Sequence, residues 1–150
     1  MSFNIAIDGP AGAGKSTIAK KIAKELGFVY VDTGAMYRAM ALYFLRSNIS
    51  NDDEQAISRA SENVEITIQY ENGEQQVFLN GENVSGEIRK EEVGNMASKT
   101  SGYGQVRKKL VELQQQLAKK ADVVMDGRDI GTVVLPDAQV KIGRASCRER

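Results

Sequence analysis

One short stretch limits the fold of this chain more than any other. Gly9-Pro-Ala-Gly-Ala-Gly14-Lys15-Ser16 fits the pattern G-x-x-x-x-G-K-[ST]. From average glycine usage, a chain of this length should contain the pattern by chance on the order of half a percent of the time. An apolar run at residues 3–7 precedes it, and a helical pattern follows it. The spacing therefore predicts a buried strand, a phosphate-binding loop and a helix, in that order.

The residue types of this loop suit a bound phosphate. Glycines let backbone N–H groups converge on phosphate oxygens, and a helix N-terminus adds partial positive charge. Lys15 can reach the terminal phosphates, and the Ser16 hydroxyl can ligate magnesium. Asp126 ends the apolar run Val123-Val124-Met125, where an acidic group can hold magnesium directly or through water. We therefore predict a magnesium site formed by Ser16 and Asp126.

The hydrophobic pattern predicts alternating strands and helices over the first 61 residues. A second strand is predicted at 28–31, and a second helix ends near Asn48. Asn51, with Glu54 three residues later, predicts a capping box for a short helix to about Ser61. The first helix is predicted from residues that recur at intervals of four and from two alanines beside them, followed by a C-terminal glycine: Ile18, Ile22, Leu26, Ala19, Ala23 and Gly27.

The period then changes at residues 63–84. Apolar and polar residues alternate, and Asn72-Gly73 and Asn80-Gly81 are typical hairpin turns. This pattern predicts a small antiparallel insert. Helices are predicted again from about Glu87 to Thr100 and around the apolar stripe Val106, Leu110, Leu113 and Leu117. The order of elements indicates a parallel α/β core that carries an antiparallel subdomain.

Composition excludes several classes of function. Twenty Lys and Arg balance twenty Asp and Glu, so no overall field favours nucleic acid or a membrane surface. There is no histidine, which excludes a hydrolase built on a histidine base, and the single cysteine cannot form an internal disulfide. Neither a membrane span nor a targeting segment is predicted, and a cytoplasmic location is expected. A guanine-binding switch is disfavoured, since N-K-x-D and D-x-x-G are both absent.

Three further stretches suggest a second site: Asp32-Thr-Gly-Ala-Met-Tyr-Arg38, Ser85-Gly-Glu-Ile-Arg89 and Asp126-Gly-Arg-Asp-Ile-Gly-Thr132. With the phosphate loop and the antiparallel insert, these stretches closely resemble the bacterial cytidylate kinase family, whose members move a phosphoryl group from ATP to CMP or dCMP. The likeness runs from about Asn4 to Ile142. It implies a P-loop NTPase fold, with a parallel sheet flanked by helices, a small antiparallel β insert and a core that is incomplete in this chain.

The resemblance also implies roles for individual residues. Thr33 and Arg38 would lie along the acceptor nucleotide, and Arg38 and Arg128 would hold its phosphate. Lys15, Arg38 and Arg128 would be the catalytic residues. Cytosine would be met by Ser98, Arg107 and Asp129. ATP phosphates would be bound by Gly9, Pro10, Ala11, Gly12, Ala13, Gly14, Lys15, Ser16 and Thr17. The predicted ligands are ATP, CMP or dCMP and Mg²⁺, and a monomer is expected.

Each of these residues also has a simpler interpretation. Arg107, next to the apolar stripe of a helix, could be a solvated charge. Arg128 and Asp129 could pair with each other, and Ser98 alone is uninformative.

The predicted divisions are a nucleotide kinase core at 1–32 and 121–142, acceptor-binding helices with the insert at 33–120, and a tail at 143–150. A catalytically silent nucleotide-binding module, or a kinase for another small acceptor, stays an alternative.

The last residues, Ile142-Gly-Arg-Ala-Ser-Cys-Arg-Glu-Arg150, have a separate interpretation. They are the peptide that a common short-read sequencing adapter encodes in one frame, ATC GGA AGA GCG TCG TGT AGG GAA AGA. We expect a non-native tail from about Lys141, in a chain truncated before the lid and the C-terminal core of the family. A chain truncated there is expected to turn over poorly or not at all, and the source DNA tests this hypothesis.

Overall fold

A computed structural model describes residues 3–9, 15–71, 74–127 and 130–142. The described chain divides into two compact units. Unit 1 combines residues 1–33 with 114–150, and unit 2 is the continuous segment 34–113. The predicted hairpin turn at Asn72-Gly73 and the tail at 143–150 lie outside the described residues.

Unit 1 contains a parallel sheet of four strands. These are β1 (Asn4–Asp8), β2 (Val29–Asp32), β6 (Val123–Gly127) and β7 (Val140–Ile142), in the spatial order β2-β6-β1-β7. In β1 and β6, Ile7 pairs with Asp126 and Asp8 with Gly127. The two strands that the apolar runs predicted before and after the loop are confirmed, each displaced by one residue, and β6 extends through Asp126 to Gly127. A π-helical turn, Ile130–Val134, follows β6.

Helix α1 (Lys15–Leu26) packs on this sheet through small side chains. Ala19 and Ala23 are buried with Ile5, Ile7, Tyr30 and Val124, while Ile22 and Phe28 cover that core from its edge. Ile18 and Leu26, members of the apolar row that predicted the helix, are each 52% exposed. The recurrence therefore predicted the helix correctly, but the row beside it faces the sheet.

Unit 2 contains a three-stranded antiparallel sheet in the order β3-β4-β5, with β3 (Ile66–Glu71), β4 (Glu74–Leu79) and β5 (Glu82–Asn83). The predicted alternation is confirmed by the burial of five apolar side chains, Val64, Ile66, Ile68, Val77 and Leu79. Asn80 and Gly81 both have positive φ, 49° and 87°, as the tight turn of a two-residue hairpin requires.

The helices that contribute to unit 2 are α2 (Thr33–Arg46), α3 (Glu54–Ser61), α4 (Glu91–Thr100) and α5 (Gly104–Lys120). Two predicted boundaries are wrong. Helix α3 is capped by Asp53, whose side chain accepts a hydrogen bond from Ala56 N, so Asn51 lies outside the cap. The helix expected from Glu87 begins as a 3₁₀ turn, Glu87–Arg89, and extended backbone at Lys90 separates that turn from α4.

Candidate active site

The carboxyl ends of three neighbouring parallel strands lie at one edge of the sheet of unit 1. Asp8 ends β1, Asp32 ends β2, and Asp126 is the fourth residue of β6. Asp126 is in register with both Ile7 and Asp32. Ligands of open α/β sheets bind outside the carboxyl ends of the strands. This edge is therefore the candidate active site of unit 1.

Asp126 is held by two neighbouring side chains. Its carboxylate oxygen Oδ2 accepts a hydrogen bond from the Tyr30 hydroxyl at 2.9 Å, and its backbone carbonyl accepts one from Thr33 Oγ1 at 2.7 Å. Asp126 and Thr33 are both buried, 4% and 6% exposed. A buried carboxylate is costly without hydrogen bonds, so the Tyr30 hydroxyl stabilises Asp126 in this place. The structure thus brings together two predicted site residues, Thr33 and Asp126.

Gly127 makes the contact with Thr33 possible. A Cβ atom at Gly127 would overlap Thr33 Oγ1 and lie 3.1 Å from Ile130 Cδ1. The φ angle of Gly127 is +156°, which residues with a side chain rarely adopt. Glycine at this position therefore allows the backbone after Asp126 to approach the Thr33 hydroxyl closely.

Asp8 joins β1 to the segment that follows β6. Its carboxylate accepts hydrogen bonds from two consecutive backbone amides, Ile130 N and Gly131 N. Next to it, Gly9 N donates to Gly127 O at 3.1 Å. No role in the site was predicted for Asp8 from the sequence. The signal that could have identified it is its place, since a carboxylate directly before a phosphate-binding loop would repel the phosphates unless it had another role.

The phosphate loop itself is described only at its two ends. Gly9 follows β1, and Lys15 opens α1, with Ser16 and Thr17 exposed in the first helical turn. Pro10, Ala11, Gly12, Ala13 and Gly14, together with the Lys15 side chain, lie outside the described residues. The strand predicted before the motif and the helix predicted after the loop are confirmed, and α1 begins at Lys15.

Magnesium would need oxygen ligands, and the donors predicted for it are of that type. Ser16 offers an exposed hydroxyl, and Asp126 offers a carboxylate whose Oδ2 already accepts a hydrogen bond from Tyr30. Among the described residues, no group of three or more acidic, histidine or cysteine side chains could hold a metal. Mg²⁺ at a nucleotide site uses one or two carboxylates, waters and substrate phosphates, so this small donor set fits it.

The predicted acceptor-side residues of unit 2 lie on three helices. Arg38 is exposed on α2, and a Cβ atom at Gly94 of α4 would lie 3.8 Å from Arg38 Nη2. Ser98 follows Gly94 by four residues on α4, so the two lie on the same face of that helix. Arg107 is exposed on α5. The structure therefore brings Arg38 next to the face of α4 that carries Ser98.

Arg128 and Asp129, the remaining predicted site residues, lie outside the described residues. Their neighbours in the chain are described. Gly127 and the pair Ile130 and Gly131 are all hydrogen-bonded to the end of β1, through Gly9 and Asp8. The backbone is thus fixed immediately before and immediately after these two positions.

A family model described as cytidylate kinase matches residues 5–150. The chain belongs to the cytidylate kinase family. The membership predicted from the phosphate loop, the insert and the three further stretches is therefore confirmed. The predicted α/β fold, with a parallel sheet, flanking helices and a small antiparallel sheet, agrees with both the family and the described structure.

Curated members of the cytidylate kinase family are similar to the chain over most of its length. The cytidylate kinase of Caldicellulosiruptor saccharolyticus is 55% identical over 140 residues, which is 93% of this chain and 62% of the relative. That of Caldanaerobacter subterraneus is 54% identical over 151 residues, covering 100% of this chain and 66% of the relative. The chain thus spans about three fifths of the length of the former. Among the described residues, no helix is long and apolar enough to cross a membrane.

Proposed function

We propose that this chain acts as a nucleoside monophosphate kinase on CMP or dCMP, with ATP as the phosphoryl donor. The products would be CDP or dCDP and ADP. The observation that carries the proposal is the match of residues 5–150 to the cytidylate kinase family. It is supported by the strand and helix around the G-x-x-x-x-G-K-[ST] loop and by a buried aspartate on the neighbouring strand β6.

The chemistry is in-line phosphoryl transfer. A phosphate oxygen of the acceptor attacks the γ-phosphorus of ATP, and the bond to the β,γ-bridging oxygen breaks, so ADP leaves with the electron pair. The acceptor oxygen is largely ionised near neutral pH, and no strong base is needed. The absence of histidine is therefore no obstacle. Lys15, Arg38 and Arg128 would balance negative charge while the two nucleotides are held end to end.

Ser16 and Asp126 are the residues that would hold magnesium. When bound, the ion would neutralise charge on the terminal phosphate oxygens of ATP. Tyr30 would keep the Asp126 carboxylate in one orientation through the 2.9 Å hydrogen bond to Oδ2. Thr33 donates to the Asp126 carbonyl, and the lone pairs of its hydroxyl stay available for an acceptor nucleotide.

A panel of nucleoside monophosphates tests the proposal. Binding of CMP, dCMP, UMP, AMP and GMP is measured by calorimetry, and phosphate transfer from ATP is measured in parallel. We expect the chain to bind CMP and dCMP in preference to the purine nucleotides. Affinity is the primary result, because it reports recognition of the nucleotide separately from the rate of phosphate transfer. Equal affinity for all five nucleotides would contradict the proposal, and so would the absence of binding to any of them.

Substitution of Asp129 tests recognition of the base. Cytosine presents an exocyclic amine that donates, whereas uracil has a carbonyl at that position, so UMP would face Asp129 acceptor to acceptor. An unpaired buried group costs about 1–3 kcal/mol, and Asp129→Ala should narrow the preference for CMP over UMP about tenfold. Asp137→Ala, at an exposed aspartate in a nearby turn, is the control. An unchanged ratio of CMP to UMP affinity in Asp129→Ala would remove Asp129 from base recognition.

The alternatives give different results on the same panel. A catalytically silent binding module would bind CMP but transfer no phosphate from ATP. A kinase for another small acceptor would leave CMP unbound. A cytoplasmic location, a monomeric state and a non-native tail stay predictions.

A further inference from the structure

Asp8 is a carboxylate in an unexpected place. It is the last residue of β1 and directly precedes the loop that is expected to bind ATP phosphates. A negative charge at this position weakens phosphate binding through electrostatic repulsion. The presence of a carboxylate here therefore indicates a function that compensates for this cost. Two tasks are chemically reasonable, since the carboxylate could bind magnesium or accept hydrogen bonds from the protein.

The contacts of Asp8 favour the second task. Oδ1 accepts a hydrogen bond from Ile130 N, and Oδ2 accepts one from Gly131 N at 3.0 Å. Both carboxylate oxygens are thus used by the backbone that follows β6. Gly131 has no side chain in the way, and a Cβ atom there would lie 3.1 Å from Asp8 Oδ2. The close approach of this backbone to the carboxylate therefore depends on the residue type at both positions, aspartate at 8 and glycine at 131.

A second bond fixes the other end of the same segment. Gly9 N donates to Gly127 O at 3.1 Å, so Asp8 and Gly9 together hold the chain before and after positions 128 and 129. The hydrogen-bonded residues Gly127 and Ile130 are therefore the chain neighbours of positions 128 and 129 on either side. These are the two residues to which the proposed function gives the acceptor phosphate and the cytosine base.

We propose that Asp8 is a positioning residue for the acceptor nucleotide rather than a magnesium ligand. It fixes the backbone at Ile130 and Gly131 from the end of the strand that leads into the phosphate loop. Asp8 thereby connects the start of the phosphate loop, on the donor side, with the segment after β6, on the acceptor side. This inference rests on the proposed function, and the experiment below separates the two.

The test compares Asp8→Asn with Asp122→Asn in the complete 150-residue chain. Asparagine keeps one acceptor oxygen but presents an NH₂ group to the second backbone amide. Asp122 is a matched control, because its carboxylate also accepts from a backbone amide of unit 1, Phe3 N at 2.7 Å. We expect Asp8→Asn to lower CMP affinity about tenfold and to leave the affinity for ATP with Mg²⁺ unchanged within a factor of about three. Asp122→Asn should change neither affinity.

A magnesium ligand would give the opposite result. If Asp8→Asn weakens ATP binding in the presence of Mg²⁺ and leaves CMP affinity unchanged, the proposal is overturned. It is also overturned if neither affinity changes. Should Asp8→Asn fail to fold, Gly131→Ala replaces it, because the added Cβ presses on Asp8 Oδ2 while the carboxylate stays. Gly131→Ala is expected to lower CMP affinity alone, and unchanged CMP affinity there contradicts the proposal.

Hydrogen exchange supplies a result that needs no nucleotide. The amides of Ile130 and Gly131 should exchange slowly in the wild-type chain, and at least one should exchange about tenfold faster in Asp8→Asn. Unchanged exchange at both amides overturns the positioning role, whatever the nucleotides do. If the wild-type chain binds no nucleotide but exchange rises as expected, the proposed function fails while the structural role of Asp8 stands.

Discussion

The absence of a side chain at Gly127 allows the hydrogen bond between Thr33 and the backbone of Asp126. The Thr33 hydroxyl reaches the Asp126 carbonyl through the space that a Cβ atom at Gly127 would occupy. A substitution there must displace a buried hydrogen-bonded hydroxyl and strain the backbone. The sequence shows a glycine at this position, but it does not show which atom needs the space.

We therefore expect Gly127→Ala to lower the free energy of unfolding by about 1–3 kcal/mol. The measurement is urea unfolding of the variant and the wild type. Gly86→Ala is the control, because no atom lies within 4 Å of its added Cβ and its φ is −77°, which alanine adopts without strain. Equal loss of stability in the two variants would show that the contact with Thr33 is not what requires glycine at 127.

Whether a site residue can be predicted from the sequence depends on how far away its hydrogen-bond partners lie along the chain. Asp126 was predicted because a polar residue after an apolar strand is a local signal. Tyr30 and Asp8 were missed, since their hydrogen-bond partners lie 96 to 123 positions away in the chain. No local pattern states that the end of β1 will meet the segment after β6. The strand and the helix on either side of the phosphate-loop motif, by contrast, follow local patterns, and the sequence alone was enough to predict them.

At the level of elements, α1 shows what hydrophobic periodicity can and cannot predict. A recurrence of four residues indicates a helix whichever row of side chains is buried. Two neighbouring rows compete in α1, one with larger side chains and one with alanines, and the alanine row faces the sheet. Small side chains let the helix backbone approach the strands closely, and this preference is set by the sheet and cannot be found in the helix pattern.

This packing makes the effect of substitutions in α1 the reverse of what side-chain size suggests. Ala19→Leu places extra atoms in a fully buried position and should cost about 1–3 kcal/mol of stability. Ile18→Ala removes a side chain that is 52% exposed and should change stability by about 0.5 kcal/mol or less. Urea unfolding of both variants is the measurement. A larger loss in Ile18→Ala than in Ala19→Leu would contradict the described orientation of the helix.

Within unit 2, one arginine connects three elements. Arg46 in the last turn of α2 contacts Glu82 of β5 through two nitrogen–oxygen pairs at 3.0 Å and Glu87 of the 3₁₀ turn at 2.7 Å. The hydrogen bond from Arg46 holds the pKa of the Glu82 carboxyl below its usual value. A lowered pKa in the folded state stabilises the fold above the usual pKa of the group, and this stabilisation is lost as pH falls through the lowered value.

Arg46→Met should therefore raise the pKa of Glu82 toward its ordinary value of about 4.3. The measurement is an NMR titration of the Glu82 side chain. The effect on stability should be small near neutral pH, because both groups are exposed to solvent. Arg59→Met, at an exposed arginine of α3, is the control and should leave this pKa unchanged. An unchanged pKa in Arg46→Met would show that the ion pair does not form in solution.

At the scale of the whole molecule, the chain forms one unit from a continuous segment and one unit from two separate segments. Unit 2 is the single segment 34–113, whereas unit 1 combines residues 1–33 with 114–150. The sequence predicted a kinase core at 1–32 and 121–142 with helices and the insert at 33–120, and that division stays a prediction. The sequence could not fix the boundaries, since α2 and α5 each contribute to both units without any break in their helical pattern.

Each unit has buried apolar residues of its own, and local opening is expected to follow the units. Leu79→Ala and Ile7→Ala are a matched pair, since each side chain is 3% exposed and each change should cost about 2–5 kcal/mol. Leu79→Ala should speed amide hydrogen exchange mainly at residues 66–84, and Ile7→Ala mainly in β1 and β6. Equal acceleration in both regions by both variants would show that the chain opens as one cooperative body.

The strand order of unit 1 has a consequence for folding during synthesis on the ribosome. β1 lies between β6 and β7, and Asn4 pairs with Val123, so both partners of β1 are synthesised much later than β1 itself. At a synthesis rate of about 5–20 residues per second, roughly 6–24 s pass between the synthesis of β1 and that of β6. The continuous unit 2 is complete before then. The nascent chain therefore carries unit 2 in full while β1 is still an unpaired apolar strand, and β1 is the segment that a chaperone would need to protect.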